Sequence, residues 1–257
     1  MRAKEAAAAY HAGDLALATS KYAEAAALSP RSAPIQIDLG FANLALYQAA
    51  PTSAAGAQAA THAIAAFEQY LQLRPGEERA RSYLVQTFVD SGQYDAAVAY
   101  FTPALERTPP DGEALATLGH IASKNGKFPE ARSWYEKRVA AEPANAEARL
   151  ALGVLLWDHL HTHPQITGAE RTTMADAGIA SLKEAMRLAP NSPNAYSYTT
   201  MLYSERALAA ASDEQKQKDL QQARDFFSKA NSKAGTKTTL KPAAKLAQKA
   251  PPKAKKK

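Results

Sequence analysis

The chain has 257 residues, of which 46% are apolar, so it can bury a core in one or two domains or in one solenoid. It contains no cysteine, which excludes disulfides, thiolate catalysis, iron–sulfur clusters and zinc fingers. The formal net charge is +6, but nine lysines and no acid lie in 231–257, so residues 1–230 carry 22 basic and 25 acidic side chains, a net charge of −3.

Residues 1–32, 78–111 and 112–145 share a ten-residue pattern: a glycine, an apolar residue two positions on, an alanine five on and an aromatic nine on. The pattern is GDLALATSKY at 13–22, GQYDAAVAYF at 92–101 and GKFPEARSWY at 126–135. The last two strings begin 34 residues apart, a period typical of stacked helical pairs. Alanine is abundant and apolar residues recur at three- and four-residue steps, so each unit is predicted as helix, break and helix.

Residues 33–77, 146–192 and 193–230 are predicted to form three further pairs, each with its second helix displaced. The extra residues are 50–63, 161–177 and 207–221, and all fall between the two helices of a unit. They are therefore expected to project from one rim, where insertions often mark a binding face, and the third is expected to lengthen both helices. The alternative is tolerated drift, because long surface loops cost little free energy.

The small residues, aromatics and closing prolines of these units resemble the tetratricopeptide repeat, a helix–turn–helix unit of 34 residues. The resemblance covers 1–230 and implies an all-α, right-handed superhelical solenoid of six stacked repeats. Two departures stand out: Arg81 and Leu115 occupy the place of the family's early tryptophan, and Pro103 lies inside a second helix. A proline there should cost about 3 kcal/mol or kink the helix.

The resemblance implies a concave groove lined by the first helix of each unit, suited to a peptide or a helix. Residues of the corresponding faces include Leu150 and Val154, which can equally be packing positions. The family's dicarboxylate clamp needs asparagine and lysine where this chain has Gln86 and His120, which argues against a receptor for chaperone C-termini. The predicted groove residues are Ile37, Phe41, Arg79, Ser82, Gln86, Asp90, His120, Lys124, Trp157, Asn194 and Met201.

Residues 231–257 are predicted to be a disordered tail, because lysine, alanine and proline dominate and few groups can pack. The lysines can attract nucleic acid or an anionic membrane, without base specificity because no aromatic accompanies them. A flexible solubilising end is the alternative. The tail residues expected to contact an anionic surface are Lys241, Lys245, Lys249, Lys253, Lys255, Lys256 and Lys257.

Three histidines in WDHLHTHP, at 157–164, are a weak candidate for a metal site. His159 and His163 are four residues apart, but Pro164 disfavours helix at His163, and no carboxylate completes a zinc signature with these two or with His161. No nucleophile elbow, P-loop, dinucleotide-binding turn or HExxH motif is present in the sequence. We therefore predict no enzyme and no cofactor.

The leading hypothesis is a non-catalytic scaffold that binds a partner polypeptide in the groove or on the inserted rim. The rivals are a scaffold anchored through its basic tail and a histidine metalloprotein, and self-association through an exposed end repeat is also open. The repeat pattern places Met1 inside the first helix, so residues preceding it are expected. The sequence does not fix the compartment: the cytoplasm is one expectation, and the periplasm or envelope is the other if an N-terminal signal has been removed.

Overall fold

A computed structural model describes residues 2–233, and residues 1 and 234–257 lie outside this description. Twelve α-helices and no strand occur in the described residues, which confirms the all-α helical-repeat prediction. The first six helices are α1 (Arg2–His11), α2 (Leu15–Leu28), α3 (Ala33–Ala49), α4 (Ala54–Leu73), α5 (Glu78–Ser91) and α6 (Tyr94–Leu105). The others are α7 (Gly112–Lys124), α8 (Phe128–Ala141), α9 (Ala146–Thr162), α10 (Gly168–Leu188), α11 (Pro193–Leu208) and α12 (Asp213–Lys233).

Local chemistry explains where several helices begin and end. The side chains of Asp14 and Asn145 accept hydrogen bonds from the first free N–H groups of α2 and α9, at distances of 2.9 to 3.3 Å. Gly92 follows α5 with φ of 68°, a left-handed conformation that favours glycine and closes a helix. Asp14 and Gly92 lie in the ten-residue pattern found in the sequence, so the pattern marks the positions where one helix ends and the next begins.

Most residues of the three predicted insertions are helical. Only short segments separate the helices concerned: 50–53 between α3 and α4, 163–167 between α9 and α10, and 209–212 between α11 and α12. These helices are correspondingly long, with α4 at 20 residues and α10 and α12 at 21 each. Alanine and other good helix formers are abundant in 50–63 and 207–221, so there the chain lengthens its helices instead of forming large loops.

The chain divides into two compact units. The first runs to Pro103 and includes Lys124–Gly126, whereas the second contains Ala104–Ser123 and resumes at Lys127. In the first unit, the side chains of Phe67, Leu84 and Phe88 are fully buried. Gly40 allows α3 and α4 to approach closely, since a Cβ atom there would lie 2.5 Å from Cε1 of Phe67.

The core of the second unit forms around α9, α10 and α11, where Leu156, Leu182 and Leu202 are buried. Gly153 of α9 packs directly on α10, because an added Cβ would lie 2.5 Å from Cγ of Leu182. Arg206 of α11 then joins α12 by donating to both carboxylate oxygens of the fully buried Asp219, at 2.5 and 3.1 Å. Close helix packing at Gly153 and an ion pair between α11 and α12 thus both stabilise the second unit.

Helix α6 continues through Pro103 and ends two residues later at Leu105. The proline is exposed and lies in the last turn, so it interrupts the helical hydrogen bonds only near their natural end. Within 2–233, every helix is too short or too polar to cross a lipid bilayer.

Candidate functional site

The predicted groove residues all lie on the first helix of a predicted repeat. Two are on α3, four on α5, two on α7, one on α9 and two on α11. None of the eleven is buried: seven are exposed, and Ile37, Phe41, Trp157 and Met201 are half-buried. Leu150 and Val154, the two residues with a packing alternative, are half-buried too. The set divides between the two units, with seven residues in the first and His120, Trp157, Asn194 and Met201 in the second.

In the first unit, Phe41 belongs to a cluster of three aromatic rings. Its ring meets the edges of Phe67 and Tyr83 at centroid distances of 5.6 and 4.8 Å. On α5, the amide of Gln86 donates to a carboxylate oxygen of Asp90 at 2.6 Å. The hydroxyl of Tyr47 donates to the backbone oxygen of Asp90 at 2.5 Å. This surface therefore combines a supported aromatic ring with exposed hydrogen-bonding groups.

In the second unit, Trp157 lies between two other rings. His161 is stacked with it at a centroid distance of 5.1 Å, and Tyr198 of α11 meets it edge-on at 5.2 Å. Trp157 also packs against the buried core beneath α9. The tryptophan is thus both a core residue on one side and a solvent-facing ring on the other.

Two of the three histidines of 157–164 lie against each other, and the third faces a different ring. The ring of His159 stacks on Phe128 at 3.5 Å between centroids and lies 4.2 Å from the ring of His163. Burial, and then the nearby His163, lower the pKa of His159 below its usual value. His161 instead faces Trp157. Among residues 2–233 no three potential ligands gather as a metal site, and these contacts are those of stacked, packed rings.

A buried ion pair that the sequence pattern did not predict lies near the ends of α9 and α11. Arg171 of α10 is 4% exposed and Glu205 of α11 is 7% exposed, and the guanidinium Nη1 binds Oε2 of Glu205. Arg171 also donates to the backbone oxygens of Leu160, His163 and Ile166 at 3.1, 3.1 and 2.7 Å. One signal was available: Arg171 precedes Met174 and Ala175 by three and four residues, so it shares their buried helix face.

The ion pair lies beside a cavity of about 450 Å³ between the predicted insertions of the last two repeat pairs. A second cavity, of about 530 Å³, lies in the first unit among α2, α3 and α4. Small side chains such as Ala23, Ala59 and Ala66 line much of it, together with Asn43 and His62. The tail lysines, from Lys241 to Lys257, lie outside the described residues.

A model of the tetratricopeptide repeat family matches residues 54–118 and 88–155. The chain is 31% identical over 83 residues to the small glutamine-rich tetratricopeptide repeat-containing protein 2 of Mycosarcoma maydis, a match that covers 32% of the chain and 24% of that relative. The chain thus spans about a quarter of the relative's length. The repeat type predicted from the sequence is confirmed by both matches.

Two solved structures are also similar to the chain. One is MamA, with a TM-score of 0.46 and 17% identity over 79% of this chain and 95% of MamA. The other is YrrB, described as a tetratricopeptide repeat protein with an unusual peptide-binding site, with a TM-score of 0.42 and 16% identity over 84% of this chain and 98% of YrrB.

Proposed function

We propose that this chain, which contains tetratricopeptide repeats, is a non-catalytic scaffold that binds a partner polypeptide through the solvent-facing sides of its first helices. The family supports a protein-interaction scaffold in general. The assignment to these helix faces is the specific part of the proposal, because fold alone does not determine a binding site.

The observation that carries the proposal is the exposure of the predicted groove positions. Phe41 and His120 follow Gly40 and Gly119, which are buried against neighbouring helices. Each helix therefore uses its small residue for the fold and leaves the next side chain at the surface. Seven of the eleven positions are exposed, and the four half-buried ones keep part of their surface accessible to another molecule.

The chemistry of the two surfaces suits an extended or helical polypeptide. In the first unit, the half-buried Ile37 and Phe41 offer apolar contacts, and Gln86 offers amide hydrogen bonds. In the second unit, Trp157 and Met201 offer apolar contacts and Asn194 offers an amide. Protein interfaces typically place large aromatic side chains beside polar groups, and the aromatic residues contribute much of the binding energy.

Exposed side chains allow a test that spares the fold. The variant Gln86→Ala/Asn194→Ala removes one surface amide from each unit. The matched control Gln72→Ala/Gln221→Ala removes two amides that are equally exposed but lie on the second helices α4 and α12. The parent and both variants, each immobilised, are used to capture proteins from lysate of the source organism, and the bound proteins are identified by mass spectrometry.

We expect a partner that the parent and the control capture equally and that the Gln86→Ala/Asn194→Ala variant captures less. Helical circular dichroism should be the same in all three proteins. Equal capture by all three, or loss with the control alone, would contradict the assignment to the first helices. Phe41 is left unchanged because its ring supports Phe67 and Tyr83, so its removal would mix folding with binding.

A further inference from the structure

Eight of the eleven residues that line the cavity of about 450 Å³ in the second unit belong to the segments predicted as insertions, 161–177 and 207–221. Leu160 and Pro164 contribute from the end of α9 and the segment after it, and Leu208 and Leu220 from α11 and α12. Its volume lies in the range of about 300–1,000 Å³ that is usual for ligand pockets. Two insertions that are distant in sequence thus meet to form one apolar recess.

The polar part of this recess is fixed in position by the buried ion pair. Arg171 donates to the backbone oxygen of Leu160 in α9, to those of His163 and Ile166 in the following segment, and to Glu205. Its guanidinium is therefore nearly saturated with acceptors. Glu205 uses Oε2 for Arg171. A carboxylate has about four lone-pair positions, so it can accept further hydrogen bonds.

The second oxygen of Glu205 has only a long contact, with an exposed histidine. Nδ1 of His161 lies 3.4 Å from Oε1, and the His161 side chain is 56% exposed. A contact of this length is weaker than a normal hydrogen bond. Oε1 of Glu205 is therefore a buried acceptor in a cavity with apolar walls. Its present partner, His161, lies near the surface.

We propose that this cavity binds a neutral aromatic side chain with one hydrogen-bond donor, a tyrosine or tryptophan, from the partner polypeptide. The aromatic body would contact Pro164, Leu208 and Leu220, and its O–H or N–H would donate to Oε1 of Glu205. Buried tyrosine and tryptophan need such a partner for their polar atom. This inference rests on the scaffold function proposed above and specifies what one part of the partner looks like.

Charge favours the neutral ligand over a charged one. Arg171 already compensates Glu205, so an added carboxylate or ammonium group would enter the cavity without an unused opposite charge at its base. Lys216 is the remaining charged residue of the lining, and it is exposed, so it can attract an anion only at the mouth. A neutral donor gains the hydrogen bond without this desolvation penalty.

The test uses four blocked amino acids as probes: the N-acetyl amides of tyrosine, phenylalanine, lysine and glutamate. The full chain, labelled with ¹³C in its leucine methyl groups, is titrated with each probe and observed by NMR. We expect saturable shifts of the Leu160, Leu208 and Leu220 methyl signals with the tyrosine amide. The phenylalanine amide should bind about three- to tenfold more weakly, because it lacks the donor.

Two variants separate the cavity from the remaining surface. Leu208 is 68% exposed, so Leu208→Ala removes part of the wall without disturbing the core, and it should weaken the tyrosine amide by about threefold or more. The matched control is Leu28→Ala on α2, because Leu28 is 76% exposed and lies in the other unit. The control should bind the probe as the parent does. Lys216→Ala should also leave tyrosine binding within about twofold of the parent.

The absence of saturable shifts at these leucines with every probe would overturn the proposal. Tighter binding of the glutamate amide, lost with Lys216→Ala, would show an anion site instead, and tighter binding of the lysine amide would show a cation site. Tyrosine binding in the cavity with no protein captured by the parent chain would instead contradict the scaffold function. If the parent and the Leu208→Ala variant capture a partner equally, the scaffold function would stand, but the cavity would take no part in binding that partner.

Discussion

Arg171 ties together the end of α9, the following segment and α11. Replacing it in Arg171→Met leaves the carboxylate of Glu205 buried without its cation and frees three backbone oxygens. Breaking a buried pair in this way is expected to lower the free energy of unfolding by about 3 kcal/mol or more. Urea denaturation followed by circular dichroism measures this change.

The matched control for Arg171 is Arg132→Met, which removes the cation of the ion pair between Arg132 and Glu136 on α8. Both side chains of that pair are substantially exposed, so its loss should cost at most about 1 kcal/mol. Equal losses in the two variants would contradict the structural role assigned to Arg171.

His159 should make the second unit less stable as the pH falls. Burial lowers the pKa of His159, and His163 adds to this effect, whereas Asp158 and Glu170 oppose it. The unfolded chain therefore binds a proton more readily, and stability is lost as the pH falls below the unfolded value of about 6.5. Urea midpoints measured at pH 7.5 and 5.5 should differ less in His159→Phe, whose ring can still stack on Phe128. A pH dependence as large as the parent's would contradict this explanation.

At the scale of elements, the proline of α6 is a site where the chain can be stabilised. Pro103 removes one helical N–H and crowds the carbonyl four residues earlier, but only in the last turn of the helix. We expect Pro103→Ala to raise the free energy of unfolding by about 1 kcal/mol or more, less than the full cost of an interior proline.

The control is Pro129→Ala, because Pro129 lies in the first turn of α8, where a missing N–H is no loss. Thermal unfolding of the two variants and the parent compares the positions. A gain in stability at position 129 as large as that at position 103 would show that the effect has nothing to do with helical hydrogen bonds.

The helical pairs could be predicted from the sequence because their signals are local. Gly92 ends α5 and Asp14 caps the start of α2, and both effects depend on neighbouring residues only. The extra segments were harder to place, because a displaced second helix is compatible with either a loop or longer helices. The longer helix is favoured because alanines such as Ala59 and Ala60 are buried in the folded unit, and this packing is not visible in the sequence.

Two groove positions, Phe41 and His120, could be proposed from the sequence because each follows a glycine at a known place in the repeat. Their role in binding, like that of the other nine positions, stays a prediction. The cavity beside Arg171 and Glu205 could not be predicted, because it joins side chains 34 residues apart on helices of different repeats. Arg171 stands at an apolar position of its helix, which indicates burial but does not identify its partner. That partner is defined only once α10 and α11 pack together.

At the scale of the whole molecule, charge is divided between a mildly acidic body and nine lysines in 231–257. We propose that these lysines allow a secondary, salt-sensitive contact with anionic surfaces. The full chain should bind vesicles containing phosphatidylserine, and binding should fall steeply between about 50 and 200 mM salt. A chain ending at Ala230 should bind much less in a sedimentation assay. Equal binding of the two chains would remove the tail from this role.

The central claim is that a partner polypeptide lies on the first helices. We would therefore place a photo-crosslinking amino acid at Gln86 of α5, and separately at Gln72 of the second helix α4, and irradiate each protein with its captured partner. Both positions are exposed, so the substitutions should not disturb the fold. We expect a crosslinked partner from position 86 and little or none from position 72. Crosslinks from position 72 alone would contradict it.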